Sequence, residues 1–537
     1  MTTAYEDGDP NSRICIFGEA PARTEMRMNK PLVGPSGELL EQCMHAAQVI
    51  RRECYILNLF PYEVKKSKDG GTVFTQDGDL WTKKGGLTEL GVREAEGGLE
   101  RLRQCKANVI VPLGTTASEV LTGHKSILKH RGSIYEWEGR KVIGTIHPAA
   151  SLRGAYLWRY LIINDLDRAR QESDHPAFKR TQRDYRIDPT YVEVMAYLKH
   201  VREEVKAIGF DIEVMNHQCS CLAIAPTPYE AMCIPFVADG GGHRWTEDEE
   251  DNIWLAIAEI LGDESITKIG QNILFDVGFL ISQNNIYTAG RLEDTMVAHH
   301  IVWPDFPKGL DFLCSMHTRE PYYKDDGKIW KKVTYDITDF WLYNCKDAAV
   351  TFEIWEALQE DLDKGYRETY DETVELFPIL LFMMQKGFAV DSEELAKTKV
   401  DVEKKIKEKE DALNETAEVP FNPSSPKQCI EYFYGTKGIK PYISRSTGRP
   451  TTDDKAMSRI FRRYRLPEAK LVQEIRALRK LHGTYLEVGV DPDGRIRCSY
   501  NPRGTVTGRL SSSQTIFGRG MNMQNLHAEF KGFLVAG

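Results

Sequence analysis

Short apolar runs alternate with stretches of helix formers over the first 365 residues, and this alternation limits the fold more than any other feature of the chain. Ile14–Phe17, Tyr55–Leu59, Val109–Leu113 and Val142–Ile146 read as buried strands, with helices expected over Gly37–Ile50 and Arg93–Lys106. Strands spaced by helices predict a parallel sheet covered on both faces. Residues 62–88 are polar and rich in Gly and Lys, and read as an insertion loop. The stretch 171–190 has few aliphatics and many charges, which suits a linker. A second α/β unit follows to about residue 365. Its expected strands are Ile208–Glu213, Cys221–Ala225, Met232–Phe236 and Thr267–Ile269, and its expected helices Asp248–Leu261 and Ile273–Ser282. Residues 366–420 are nearly all helix formers, with the sign-alternating charges of an exposed helix in their second half. From about residue 488 the chain turns strand-like and rich in Gly.

A chain of 537 residues should hold three or four domains. No run of eighteen apolar residues occurs, so no transmembrane helix and no membrane partner are expected. The start of the chain lacks a basic region followed by an apolar one, so no secretory signal is expected. The 11 cysteines are odd in number, form no Cys-x-x-Cys pair, and in part sit inside apolar runs. Reduced thiols in a cytoplasmic setting follow, not a disulfide framework or a four-cysteine zinc site. The net charge of −9 is unevenly spread: residues 421–537 hold 20 Lys and Arg against 9 Asp and Glu. Neutralising phosphates and releasing counterions supplies most non-specific affinity for nucleic acid, and this segment has the charge for it.

The densest chemistry lies in the second unit. Asp211 and Glu213 are i and i+2 in a strand-like run and so point to one face. Asp276 falls near the start of an expected helix. Tyr343 and Asp347 are i and i+4, which on a helix share a face. Four converging carboxylates repel one another unless cations neutralise them. Oxygen-only ligands suit Mg²⁺ or Mn²⁺. Two such ions roughly 4 Å apart can activate a water and stabilise the leaving oxygen of a phosphodiester. The tyrosine hydroxyl could orient that water. Asp294 reads as a helix N-cap.

In order and spacing these residues resemble the 3′–5′ exonuclease domain of family A DNA polymerases, the four-carboxylate type with a tyrosine. The downstream Asp294-Thr295-Met296, Leu310, Leu313 and Pro321-Tyr322-Tyr323-Lys324 look like that family too. The resemblance implies an RNase H-like fold, with Asp211, Glu213, Asp276, Tyr343 and Asp347 catalytic and the four carboxylates as ligands of a two-metal Mg²⁺ or Mn²⁺ site.

A second resemblance runs through the C-terminal third. Lys386-Gly387-Phe388-Ala389-Val390-Asp391 looks like the entry to a polymerase thumb, and Phe421-Asn422-Pro423-Ser424-Ser425-Pro426-Lys427-Gln428 like the thumb-tip turn and its helix. Thr505-Val506-Thr507-Gly508-Arg509-Leu510-Ser511-Ser512, then Asn522-Met523-Gln524-Asn525, resembles the family A motif that holds the primer–template near its 3′ end. The resemblance implies DNA contacts from Asn422, Lys427, Arg509, Gln524 and Asn525, with Arg509 in the minor groove, where every base pair offers acceptors. The family's palm aspartates are expected beyond residue 537. The expectation is a shortened polymerase chain, or one half of a split polymerase whose second polypeptide carries the palm and fingers.

A third resemblance opens the chain. Gly18-Glu19-Ala20-Pro21-Ala22, Lys30-Pro31-Leu32-Val33-Gly34-Pro35-Ser36-Gly37, Asn58, Val111-Pro112-Leu113-Gly114 and His147-Pro148-Ala149-Ala150-Ser151 look like the motifs of iron–sulfur-bearing uracil-DNA glycosylases. The resemblance implies that Glu19 positions a water, Asn58 reads the uracil edge, and His147 stabilises the departing base. Two departures stand out. The cluster cysteines are missing, so no iron–sulfur cluster is expected. Leu32 stands where a base-stacking aromatic is expected. Active glycosylase and a uracil-sensing or DNA-binding module both stay open.

Together these readings predict an α/β multidomain chain. It comprises a glycosylase-like three-layer α/β domain (1–172), a linker (173–190), an exonuclease domain (191–365), a helical thumb (366–490) and the first strands of a palm (491–537). The expected function is that of a family A DNA polymerase with a proofreading exonuclease, acting on single-stranded and primer–template DNA. The setting implied is a bacteriophage protein in the bacterial host cytoplasm. The alternative is a split-polymerase subunit, or a repair exonuclease/glycosylase whose C-terminal part only clamps DNA.

Overall fold

The computed structural model describes residues 4–66, 73–82, 86–325 and 336–535. It is a mixed α/β protein of two compact units, one made of residues 1–273 and 286–370, the other of 274–285 and 371–537.

The first unit contains two six-stranded sheets. In the first sheet the inner strands Cys54–Asn58, Ile14–Gly18, Val109–Pro112 and Arg140–Ile143 run parallel. Antiparallel edges, Glu6–Asp7 and Ile134–Trp137, close the two sides. The inner strands are buried along nearly their whole length, as parallel strands with both faces covered must be. Helices Pro35–Ala46 and Trp158–Ser173 contribute Leu39, Leu40, Leu161 and Leu166 to one apolar layer. Ala95 and Leu102 of helix Glu89–Gln104 enter the opposite layer. The order of the strands reverses between Ile14–Gly18 and Val109–Pro112, which opens a crevice at their carboxyl ends. Within the expected insertion loop, Lys65–Lys66, Val73–Thr75 and Gly78–Asp79 form a small antiparallel sheet; residues 67–72 and 83–85 of that loop lie outside the described residues.

The second sheet has the order Asp184–Arg186, Glu230–Pro235, Gln218–Thr227, Ala207–Met215, Thr267–Gly270, Leu292–Asp294. It is mixed: the three central hairpin-linked strands are antiparallel, and the strands on either side add parallel. Its edge strand Asp184–Arg186 comes from the stretch expected as a linker. Helix Ile337–Asp363 packs on a face lined by small residues, Cys221, Ala223, Ala225, Ala231 and Cys233. A Cβ added at Gly209 would stand 2.5 Å from the Ala348 carbonyl oxygen, so glycine there permits the helix to approach.

Polar contacts tie the two sheets' layers together. Arg131, almost fully buried, clasps Asp165 and donates to Ser315 Oγ at 3.2 Å. Arg168 donates to the Gly132 and Met316 carbonyls at 2.7 and 3.2 Å. Arg319 pairs with Glu172.

In the second unit, helices Ser392–Thr416, Asp454–Tyr464 and Pro467–Lys480 surround a core containing Leu413, Tyr432, Phe433, Met457, Ile460, Val472 and Ile475. Beside them, Arg495–Ile496, Phe388–Val390 and Leu534–Val535 form a three-stranded sheet, and Ser499–Asn501 pairs with Ser511–Ser513 as a hairpin.

Candidate active site

Strand Ala207–Met215 enters the second sheet as an apolar run, Ile208, Phe210 and Ile212 being buried. Its alternation sends Asp211 and Glu213 to the other face, opposite Ala223 and Cys221. The register slips just after Glu213, a bulge that bends the strand where its side chains must be aimed. Helix Ile337–Asp363, capped by the Asp336 carboxylate on Thr338 N, lies over this face and brings Tyr343, Asn344 and Asp347 with it.

Carboxylate oxygens of Asp211, Glu213 and Asp347 fall within 4.8 Å of one another. Asp211 and Glu213 are half-buried and Asp347 is buried. Asn344 Nδ2 donates to Asp211 Oδ2 at 2.8 Å and to its carbonyl oxygen at 3.2 Å. The Tyr323 hydroxyl donates to Asp347 Oδ1 at 2.7 Å, and Lys324 Nζ to Asp347 Oδ2 at 2.5 Å. Desolvation, with Asp347 beside it, pushes the Asp211 carboxyl well above the usual carboxylate range, against the pull of Lys324 and Asn344. Burial and the surrounding carboxylates likewise raise the Tyr343 phenol, so it stays a neutral hydrogen-bonding hydroxyl. Asp276 is buried in the first turn of helix Ile273–Asn284, on the segment that belongs to the second unit. Asp294 caps helix Thr295–Val302, accepting from Met296 N and Val297 N, and also takes the amides of Asn272 and Ile273.

Three residues here have no counterpart among the catalytic residues expected from sequence: Asn344, Tyr323 and Lys324. Asn344 had a usable signal, since it is i−3 from Asp347 on the same helix and so shares its face. Tyr323 and Lys324 reach the centre from an irregular segment, and no periodicity announces that.

Around the crevice of the first sheet, Glu19 follows strand Ile14–Gly18 and Asn58 ends strand Cys54–Asn58, with Gly18 and Asn58 in register. A Cβ on Gly18 would meet Asn58 Oδ1 at 2.2 Å, so glycine leaves room for that amide. Asn58 Nδ2 contacts the Ala4 carbonyl oxygen at 3.4 Å, and Asn58 N donates to the Tyr5 carbonyl. His147 caps helix Pro148–Leu152: its Nδ1 accepts from Ala149 N at 3.2 Å, which leaves the ring proton on Nε2. Leu32 has a left-handed backbone (φ 51°) and its side chain packs in the apolar layer with Leu39 and Leu40. All 11 cysteines are buried, and none is joined in a disulfide.

In the second unit, Asn422 Oδ1 accepts from Ser424 N and from Arg479, Gln428 Oε1 accepts from Asn422 N, and Ser425 caps helix Pro426–Ile430. The turn at residues 421–428 therefore uses its polar groups to hold its own shape, and Lys427 stands exposed beside it. Arg509 is exposed in the connection of the Ser499–Ser513 hairpin, its amide donating to Thr505 Oγ1 at 3.0 Å. Gln524 and Asn525 are exposed, and the Asn525 carbonyl accepts from the Tyr485 hydroxyl.

Fold and site together define a multidomain α/β protein in which three carboxylates meet in the second sheet's domain. Three family models match it in succession: the uracil DNA glycosylase superfamily over residues 5–165, 3′-5′ exonuclease over residues 185–363, and DNA polymerase family A over residues 392–531. Three successive segments of the chain are thus each similar to one of these families. DNA polymerase I of Rhizobium leguminosarum is 29% identical over 344 residues, 60% of this chain and 33% of that protein. The DNA polymerase of Bacillus phage SP01 is 23% identical over 611 residues, 94% of this chain and 62% of that protein. For the DNA polymerase of Escherichia phage T5 the figures are 27% over 326 residues, 52% and 37%. The chain spans less than two thirds of the length of each of these relatives. Among the described residues no helix is long and apolar enough to cross a membrane.

Proposed function

We propose that the chain serves DNA replication as a family A DNA polymerase with a proofreading exonuclease, and that its acidic centre hydrolyses the 3′-terminal phosphodiester of DNA. The observation that carries this reading is the meeting of Asp211, Glu213 and Asp347 within 4.8 Å, inside a segment that matches the 3′-5′ exonuclease family. An all-oxygen donor set fits Mg²⁺ or Mn²⁺. Asp211, Glu213 and Asp347 would hold the ions. Bound divalent cations supply a water of lowered pKa and charge neutralisation at the leaving 3′ oxygen.

The chain's own residues do the rest. Asn344 fixes the Asp211 carboxylate by one oxygen, leaving the other for an ion. Tyr323 and Lys324 orient Asp347. The Tyr343 hydroxyl, kept protonated, orients the attacking water and does not act as a base. The half-buried Asp211 and Glu213 leave the centre open to a frayed single strand.

For the front domain the proposal is recognition or excision of uracil. His147 is proposed to donate to a base oxygen. Recognition without cutting is favoured by one observation: Leu32 turns into the apolar layer, so that position offers no ring to stack on a flipped base. Residues 392–531 are proposed to grip primer–template DNA.

The test of the nuclease is digestion of a 5′-labelled single strand in Mg²⁺ or Mn²⁺. Wild type should shorten it from the 3′ end, and Asp211→Ala should slow this by orders of magnitude. An intact strand with wild type, or equal rates, overturns the reading.

A further inference from the structure

Lys324 brings to the carboxylate centre a positive charge that the two-metal chemistry does not call for. Its ammonium lies 2.5 Å from Asp347 Oδ2 and 4.5 Å from the centre of the Tyr343 ring, and its side chain is only 22% exposed. A cation therefore already sits on a carboxylate that the nuclease reading assigns to a divalent ion. Its placement is built in. The segment carrying it is bolted to the first sheet's domain on both sides of Lys324: Arg319 pairs with Glu172, the Tyr322 ring sets its edge to His130 at 4.8 Å, and Asp325 pairs with Lys129 at 2.8 Å. Between those anchors Tyr323 and Lys324 face the other way, onto Asp347.

We propose that Lys324 is a resident counter-cation and positioning residue: it neutralises the Asp211–Glu213–Asp347 cluster while no metal is bound, and gives up Asp347 when a divalent ion enters. This rests on the reading of the cluster as a metal site. Three carboxylates within 4.8 Å would otherwise repel and splay. An ammonium holds them in a geometry ready for an ion, at the cost of competing with it.

Two measurements test this: Mn²⁺ binding followed by the EPR signal of the free ion, and thermal unfolding in EDTA and in saturating Mn²⁺. Lys324→Met should bind Mn²⁺ about tenfold or more tightly, because a like charge a few ångströms from the ion is gone. It should also melt below wild type in EDTA and close that gap in Mn²⁺, since the ion then supplies the missing charge. Lys324→Gln, which keeps an N–H donor and loses only the charge, should behave the same way, and Lys324→Arg should restore wild-type affinity. Unchanged or weaker Mn²⁺ binding by both neutral variants, or an equal melting loss with and without Mn²⁺, overturns the proposal. Asp211→Asn separates the two levels. If it abolishes Mn²⁺ binding while the Lys324 variants bind as wild type, only the role of Lys324 falls. If it binds Mn²⁺ like wild type, the metal-site reading falls and the Lys324 proposal with it.

Discussion

At the scale of single residues, the acidic centre depends on neighbours that carry no metal themselves. Asn344 is the clearest, because its amide holds both a side-chain oxygen and the main-chain carbonyl of Asp211. A second partner of this kind fixes the lone-pair direction a ligand offers, and losing one typically costs about 10–100-fold in affinity or activity. Asn344→Ala should therefore slow exonuclease digestion by about that factor and weaken Mn²⁺ binding, while the fold is kept, as near-unchanged far-UV circular dichroism would show. Asn344→Asp should be worse, since it brings another carboxylate to Asp211. Digestion by Asn344→Ala at the wild-type rate would show that Asp211 holds its orientation unaided. Lys324 acts in the opposite sense, opposing the ion that Asn344 helps.

At the scale of elements, what places the centre is the fit between two neighbouring strands and one helix. Gly209, Ala223 and Cys221 keep the strand face low, and Ala348 and Cys345 keep the helix face low, so Tyr343, Asn344 and Asp347 come down onto Asp211 and Glu213. The next strand, Thr267–Gly270, carries Lys268, whose side chain is buried and donates to the Asp263 and Ala289 carbonyls at 2.5 and 2.7 Å. Burial pushes its ammonium down to about 8, against the pull of Asp263, from 10.5. Between those two values the unfolded chain holds a proton that the folded chain has released, so stability rises with pH across that window. Below about pH 8 both states are protonated and this group adds no slope. Lys268→Met should remove that rise; denaturant unfolding at pH 8 and pH 10 would show it as a smaller gain than in wild type. Equal gains would mean that Lys268 keeps its proton throughout.

These elements also mark what the sequence made legible. Period-two alternation put Asp211 and Glu213 on one strand face, and helical spacing joined Tyr343 to Asp347, because both patterns are local. Tyr323 and Lys324 sit in a segment without a period, and they meet Asp347 only through the tertiary fold. Asp184–Arg186 reads as linker because an edge strand of three residues turns only Tyr185 toward the core, too little for a period to show. Asn58 was legible through the glycosylase-like motif it falls in, but its contact with Ala4 was not, since that depends on an edge strand of two residues pairing about 50 positions away.

At the scale of the whole molecule, the division of charge is what most concerns DNA. The first 420 residues carry 50 Lys and Arg against 70 Asp and Glu, and the remaining segment 20 against 9. Acidic surface repels a phosphate backbone, so affinity for duplex should come from the basic segment and should be salt-dependent. Each phosphate neutralised contributes a slope of roughly −0.9 in log affinity against log salt. Lys427 is exposed beside a turn whose other polar groups are satisfied within the chain, so its charge is available to a backbone phosphate. Lys427→Ala should lower affinity for primer–template alike on all sequences and flatten the slope by about one unit. Arg509 should differ. It is exposed in a hairpin connection pinned by Thr505, and an arginine in the minor groove finds the base acceptors at their regular positions only where the bases are correctly paired. Arg509→Ala should therefore weaken binding to a fully paired primer end more than to one with terminal mismatches, where wild type already lacks that contact. Anisotropy titrations of labelled primer–templates at several salt concentrations measure both effects. If Lys427→Ala leaves the slope at its wild-type value, that turn does not touch phosphate. If Arg509→Ala loses the same factor on paired and mismatched ends, Arg509 contributes charge alone and does not sense the primer terminus.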